Sequence, residues 1–126
     1  MNDLLVDTHV LLWAASTPER LSAAARAALV DPARRIFVSA ISAAEIEIKR
    51  ALGKLRLAVT CDELVASIGA EWLSLSAAQA SRLRDLPLLH RDPFDRLLIA
   101  QALTERLMLV SADAEVLRYE VSQIAA

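Results

Sequence analysis

Cysteine is almost missing from this chain. One residue, Cys61, stands among 126, which excludes an intrachain disulfide; it reads as an inert thiol near a helix start. Glycine occurs twice, too seldom for a glycine-rich phosphate loop. No P-loop, dinucleotide fingerprint or Cys/His zinc pattern is found either. Neither sign of charge is in excess: 14 Lys+Arg against 16 Asp+Glu leave a net charge of −2. Nucleic acid would therefore have to be held by a local basic patch rather than by a global field. Aromatic residues are scarce at 4%. Trp13 and Trp72 lack basic neighbours, a poor platform for stacking bases, and read as core or dimer contacts. No hydrophobic run is long. Val10 to Ala15 is far too short to span a bilayer, and no basic segment precedes it as a secretory signal requires. The expectation is one domain over residues 1–126, cytoplasmic, with no membrane partner, burying much of its 56% hydrophobic content, in part within an oligomer.

What the chain does contain is alternation. Leu4-Leu5-Val6 reads as a short buried strand, followed by a helix from His9 to Ala15 and another from Leu21 to Val30. Ile36-Phe37-Val38 is the second strand. A helix over Ala43–Leu52 ends at Gly53, and Ser42 with Glu45 has capping-box spacing. Thr60 and Glu63 repeat that spacing ahead of a helix near Asp62–Ile68. Glu71 to Leu75 is the third strand, and Ser76 with Gln79 opens a helix to about Arg84. Asp92-Pro93 begins a longer helix to about Arg106, with Asp92 as N-cap and Pro93 in the first turn. Met108–Ser111 is the fourth strand. A short helix over Ala114–Leu117 and a last strand within Tyr119–Ile124 complete the series. Strands alternating with helices predict an α/β fold with a mainly parallel sheet.

In such sheets functional groups collect beyond the carboxyl ends of the strands. Asp7 ends the first strand, where a buried carboxylate is costly unless something uses its charge. Glu45 and Asp113 follow the second and fourth strands. Asp95 is assigned by helical phase: it aligns with Leu98, Ile99 and Ala102, with Gln101, Thr104 and Glu105 pointing away. Glu45 aligns with Ile41, Ile48 and Leu52. Taken singly, Glu45 could serve Ser42 in a capping box, Asp95 the helix dipole and Asp113 an N-cap. Taken together, four inward acids have one simple common cause, a divalent cation. Two carboxylates about 5 Å apart repel by roughly 3 kcal/mol at an effective dielectric of 20. Oxygen donors suit Mg²⁺ or Mn²⁺ rather than zinc, and such an ion suits phosphodiester chemistry. Removing the acids should then stabilise the protein when metal is withheld.

Four segments carry a resemblance: Leu5-Val6-Asp7-Thr8-His9-Val10-Leu11-Leu12-Trp13, Ser39-Ala40-Ile41-Ser42-Ala43-Ala44-Glu45, His90-Arg91-Asp92-Pro93-Phe94-Asp95-Arg96-Leu97-Leu98-Ile99-Ala100-Gln101-Ala102, and Leu109-Val110-Ser111-Ala112-Asp113. In this order and spacing the chain resembles the PIN-domain family, specifically its VapC-type toxin nucleases. The resemblance implies a three-layer α/β/α fold and an Mg²⁺-dependent endoribonuclease (Mn²⁺ possible). It implies a homodimer, an RNA substrate and a VapB-type antitoxin partner. It also implies Asp7 and Asp95 as main metal ligands, Glu45 orienting or deprotonating the attacking water, and Asp113 completing the shell. Ser111 would hydrogen-bond within the pocket. Lys49-Arg50-Ala51-Leu52-Gly53-Lys54-Leu55-Arg56 is the candidate basic patch, with Arg91 and Arg96 as further phosphate contacts. His9 and His90 read as packed or loop histidines. The alternatives are a non-catalytic PIN module that binds RNA or protein, and a metal-dependent phosphatase or phosphoacceptor domain built on Asp7.

Overall fold

Leu4, Leu5 and Val6 are all fully buried, so both faces of the first strand must be covered. That is the signature of a central strand in a parallel sheet. The computed structural model describes residues 2–126. Its strands are β1 (Leu4–Val6), β2 (Ile36–Ser39), β3 (Glu71–Leu73), β4 (Met108–Ser111) and β5 (Gln123–Ala125). Its helices are α1 (Thr8–Ser16), α2 (Ala23–Leu29), α3 (Ala40–Ala51), α4 (Cys61–Ser67), α5 (Ala77–Ser81) and α6 (Pro93–Glu105). The five strands form one sheet in the order β3-β2-β1-β4-β5, every pairing parallel. The α/β class read from the sequence is observed.

Alternation along β1 divides the core. Leu4 and Val6 pack with Val10, Leu11, Ala25, Leu64 and Val65 from α1, α2 and α4. Leu5 packs on the other face with Leu98, Ile99 and Ala102 of α6. The helix α3 contributes to both sides, Ile46 to the first cluster and Ile41 to the second. The result is three layers, with the sheet in the middle. No helix among the described residues is long and apolar enough to cross a membrane.

Local chemistry explains most element ends. Gly53 and Gly69 both adopt left-handed backbone, at φ 73° and 68°. Each closes its helix with the paired C-terminal bonds of a Schellman motif: Gly53 N–H to Arg50 O with Lys54 N–H to Lys49 O, and Gly69 N–H to Ala66 O with Ala70 N–H to Val65 O. The capping boxes Thr60/Glu63 and Ser76/Gln79 form as expected. The one expected at Ser42/Glu45 does not. Ser39 caps α3 instead, its hydroxyl accepting from Ile41 N–H at 3.0 Å. The helix therefore starts three residues earlier than predicted, and Ser42 lies buried inside it. After Asp113 the short helix is a 3₁₀ turn over Val116–Arg118, and the last strand is Gln123–Ala125 rather than a segment starting near Tyr119.

The order of strands fixes where a site can be. From β1 the chain moves to β2 on one side and later returns to β4 on the other. The crevice at the carboxyl end of β1 and β4 is thus the topological switch point. Asp7 follows β1 and Ser111 ends β4 at that edge.

The helix α6 ends at Arg106, the only described non-glycine residue with positive φ (55°). A side chain in this region is strained, and glycine is not. Arg106→Gly is expected to raise stability, by up to about 1 kcal/mol after allowing for the added freedom of the unfolded chain. Urea unfolding at neutral pH measures this; a loss of stability would show that the arginine side chain contributes more than its backbone costs.

Candidate metal centre

Asp7 does two structural jobs at once. It is the N-cap of α1, its Oδ1 accepting from Val10 N–H at 2.8 Å. Its Oδ2 accepts from the Ser111 hydroxyl at 2.7 Å and from Ala112 N–H at 3.1 Å. The carboxylate joins the end of β1 to the end of β4, and the residue is 4% exposed. Burial pushes its pKa up more strongly than these three donors pull it down. An amide at position 7 would offer one acceptor oxygen to three donors. The expectation that removing any acid stabilises the metal-depleted protein therefore does not extend to Asp7.

Ser111 passes the connection on. Its oxygen accepts from Asp113 N–H at 3.1 Å, which sets Asp113 immediately beyond Asp7. Asp113 accepts from Glu115 N–H through Oδ1 at 2.8 Å, and its Oδ2 lies 3.7 Å from His90 Nε2.

The third element is α6. Asp92 caps it, accepting from Phe94 N–H at 2.9 Å and Asp95 N–H at 3.3 Å, and Pro93 is its first residue, as read from the sequence. Asp95 faces inward, its side chain 15% exposed, and its Oδ2 is 2.8 Å from His90 Nε2. The phase argument was right for Asp95 and wrong for Gln101. That residue is fully buried and donates to Gln79 Oε1 at 3.0 Å. Burial pushes the Asp95 pKa up to about 6, against the His90 bond and with help from the charges of Asp92, Asp113 and Asp7. Burial works to lower the His90 pKa, yet its bond to Asp95 and the charges of Asp95, Asp113 and Asp92 outweigh it, so the net direction is up.

One donor atom each from His90, Asp95 and Asp113 lies within 4.8 Å of the others. Asp7 joins this group through Ser111. Glu45 stands apart from it. Its side chain is 10% exposed, with Oε1 accepting from Thr8 Oγ1 at 2.8 Å and Oε2 from Lys49 Nζ at 2.7 Å. Thr8 also meets the Ser42 hydroxyl at 3.0 Å. Glu45 is thus linked to the residue that follows Asp7, and Lys49 neutralises it from the next turn. The stripe used to place it does not stay inside: Ile48 and Leu52 are 48% and 63% exposed.

Sequence reasoning missed His90. The basic candidates also divide. Arg96 is structural, donating to Pro87 O, Leu83 O and the Tyr119 hydroxyl. Lys49 holds Glu45, and Arg50 donates to Val59 O. Trp13 lies under the Arg20 guanidinium, 4.8 Å from the ring centroid, so it does have a basic neighbour in space. Cys61 is the first residue of α4; burial, then Glu47, raises its thiol pKa, consistent with an inert side chain. The donor set at the switch point is carboxylate-rich, burial and then mutual charge raise the Asp95 pKa, and the set fits a divalent cation.

The domain and its fold have known relatives. The sequence model of the PIN domain matches residues 4–121. No curated protein sequence matches significantly. Among solved structures, the fold is similar to VapBC2 from Rickettsia felis bound to a DNA fragment from their promoter, with TM-score 0.69, 16% identity and 97% of each chain covered. It is similar to DNA-bound VapBC from Salmonella typhimurium, with TM-score 0.66, 14% identity and coverage of 99% of this chain and 98% of the other. It is also similar to a toxin–antitoxin complex from Klebsiella pneumoniae, with TM-score 0.65, 17% identity and coverage of 98% and 97%. At these identities the likeness is one of fold.

The raised Asp95 pKa has a definite sign. Folding favours the protonated acid, so the destabilisation is complete above about pH 6 and relieved as pH falls towards the unfolded value near 4. The raised pKa of His90 acts the same way, its contribution being lost as pH rises. The EDTA-treated protein is therefore expected to gain stability from pH 8 to pH 5. Asp95→Asn should flatten this rise and add about 1–3 kcal/mol at pH 7.5. Urea unfolding across this range decides it; a flat wild-type profile would contradict the burial of Asp95.

Proposed function

The chain belongs to the PIN-domain family, and from that membership we propose that it is an Mg²⁺-dependent endoribonuclease, the toxin of a toxin–antitoxin pair. One observation carries the reading: residues as distant in sequence as Asp7, Asp95 and Asp113 converge at the switch point of the sheet, where burial and, after it, neighbouring acid charge raise the Asp95 pKa. A structural explanation accounts for Asp7 as a cap and clamp. It does not account for Asp95 and Asp113 gathered with His90 beside it.

In this reading Asp7, Asp95 and Asp113 hold the cation, with Mn²⁺ as a substitute for Mg²⁺. When bound, it lowers the pKa of a water and neutralises charge growing on phosphorus. Ser111 orients Asp7 by donating to Oδ2, and Asp92 keeps the first turn of α6, and hence Asp95, in place. Glu45 is the fourth acid and orients or deprotonates the attacking water. Thr8 and Lys49 each fix one of its oxygens. The family resemblance implies that water forms the new bond to phosphorus while the P–O3′ bond breaks, leaving a 5′-phosphate and, once the 3′-oxygen takes up a proton, a 3′-hydroxyl. Lys54, Arg56 and Arg91 are the cations proposed to meet RNA phosphates.

The partner reading draws on the similar structures, which are VapBC and toxin–antitoxin complexes. A VapB-type antitoxin is proposed on that ground. A homodimer is proposed because α3 leaves Ile48 and Leu52 exposed on one stripe.

Cleavage of RNA should require Mg²⁺ or Mn²⁺ and stop in EDTA. Asp95→Asn should cost on the order of 100-fold or more. Asp92→Asn should stay within a few-fold of wild type, because Asn is itself a good N-cap. Cleavage that survives EDTA would reject the metal mechanism. A folded chain that binds RNA without cutting it in either metal would be a non-catalytic PIN module. Expression without a partner should arrest growth of the host, and Asp95→Asn should relieve the arrest.

A further inference from the structure

We propose that His90 is a direct nitrogen ligand of the metal site, and that it tilts the site towards Mn²⁺ and Co²⁺ relative to Mg²⁺. The inference rests on the preceding reading that the acids hold a cation. It goes beyond that reading by adding a ligand of different chemistry.

Position is the first argument. His90 Nε2 faces two carboxylates from different elements, Asp95 Oδ2 at 2.8 Å and Asp113 Oδ2 at 3.7 Å. An octahedral ion with ligands at about 2.1 Å places adjacent donor atoms about 3 Å apart and opposite ones about 4.2 Å apart. Both separations are compatible with neighbours around one ion. A histidine present only to pair with Asp95 would have no reason to aim the same nitrogen at Asp113.

Rigidity is the second. The loop that carries His90 is fastened from three directions. The Tyr119 hydroxyl, on a residue 3% exposed, accepts from the backbone N–H of His90 at 2.9 Å and of Leu89 at 3.2 Å. Arg118 donates to Leu89 O at 3.3 Å. Arg96 donates to Pro87 O at 3.1 Å and to Leu83 O at 3.2 Å. The fastening bonds at residue 90 use its backbone, which leaves the imidazole to face Asp95 and Asp113. Its side chain is 18% exposed, sheltered but within reach of solvent ions.

Chemistry supplies the preference. Mg²⁺ favours oxygen, whereas imidazole is a good ligand for the later first-row divalent ions, whose affinities rise from Mn²⁺ to Co²⁺. A site of carboxylates alone discriminates less between these ions than one with a nitrogen donor.

Mn²⁺ titrated into the purified chain and followed by electron paramagnetic resonance tests this. Pulsed measurements on bound Mn²⁺ should show coupling to a directly bound nitrogen that changes when the protein carries ¹⁵N-histidine. The chain has two histidines, so His9→Asn should keep the coupling and His90→Asn should lose it. Affinity for Mn²⁺ and Co²⁺ should fall about tenfold or more in His90→Asn, and affinity for Mg²⁺, measured by competition, by a clearly smaller factor. Mn²⁺ that binds the wild type without histidine coupling overturns the proposal and leaves the nuclease reading standing. Equal losses for all three ions do the same, making His90 only a positioning partner of Asp95. Failure of the wild type to bind any of them overturns the metal reading itself. Should His90→Asn unfold, the isotope comparison in the wild type and in His9→Asn still decides.

Discussion

The bond between the Ser111 hydroxyl and Asp7 Oδ2 is the contact on which the site depends. It ties the ends of two neighbouring parallel strands and fixes the orientation of a buried carboxylate. It also leaves the serine oxygen to receive Asp113 N–H. Three constraints meet there. The start of α1 must be capped, the buried acid must be given donors, and the next acid must be aimed at the same space. Asp95 reaches the crevice from α6, and there burial first, then the charges of the neighbouring acids, raise its pKa. A fold that only needed to bury its core would not collect charge at this place.

Much of this was legible from residue patterns, for identifiable reasons. The strand at Leu4–Val6 and the acid that ends it could be read because a doubly covered strand is continuously apolar. Asp92 and Pro93 marked the start of α6 because their roles are local. Local reasoning failed at α3, where two serines compete for the cap. Ser39 won, and Ser42 became a buried residue facing Thr8. The choice is made by where β2 ends, which is tertiary information. Gln101 failed for a similar reason. Helical phase assigned it to solvent, but α5 packs against α6 and supplies Gln79 as partner.

The candidate site divides along the same line. Acids on regular elements could be phased, and Asp95 was chosen over Asp92 in that way. His90 lies in a loop without periodicity, and its aim depends on Tyr119, 29 residues further on. No spacing rule links those two positions. The Glu45–Lys49 pair, by contrast, has helical i,i+4 spacing, and its significance was hidden only because Lys49 was read as part of a basic stretch. Buried acids invite the question of what neutralises them, and here two different answers occur: a lysine for Glu45 and a shared space with His90 for Asp95.

The placement of β4 beside β1 has a consequence for synthesis of the chain. Residues 4–6 pair with residues 108–110, so the acid at position 7 waits through some hundred residues of translation for the hydroxyl that orients it. A ribosome-bound chain lacking β4 has the first cap and the capping boxes but no crevice. Asp7 and Asp113 can share a crevice only once the last segments emerge, so a half-made polypeptide lacks the assembled site.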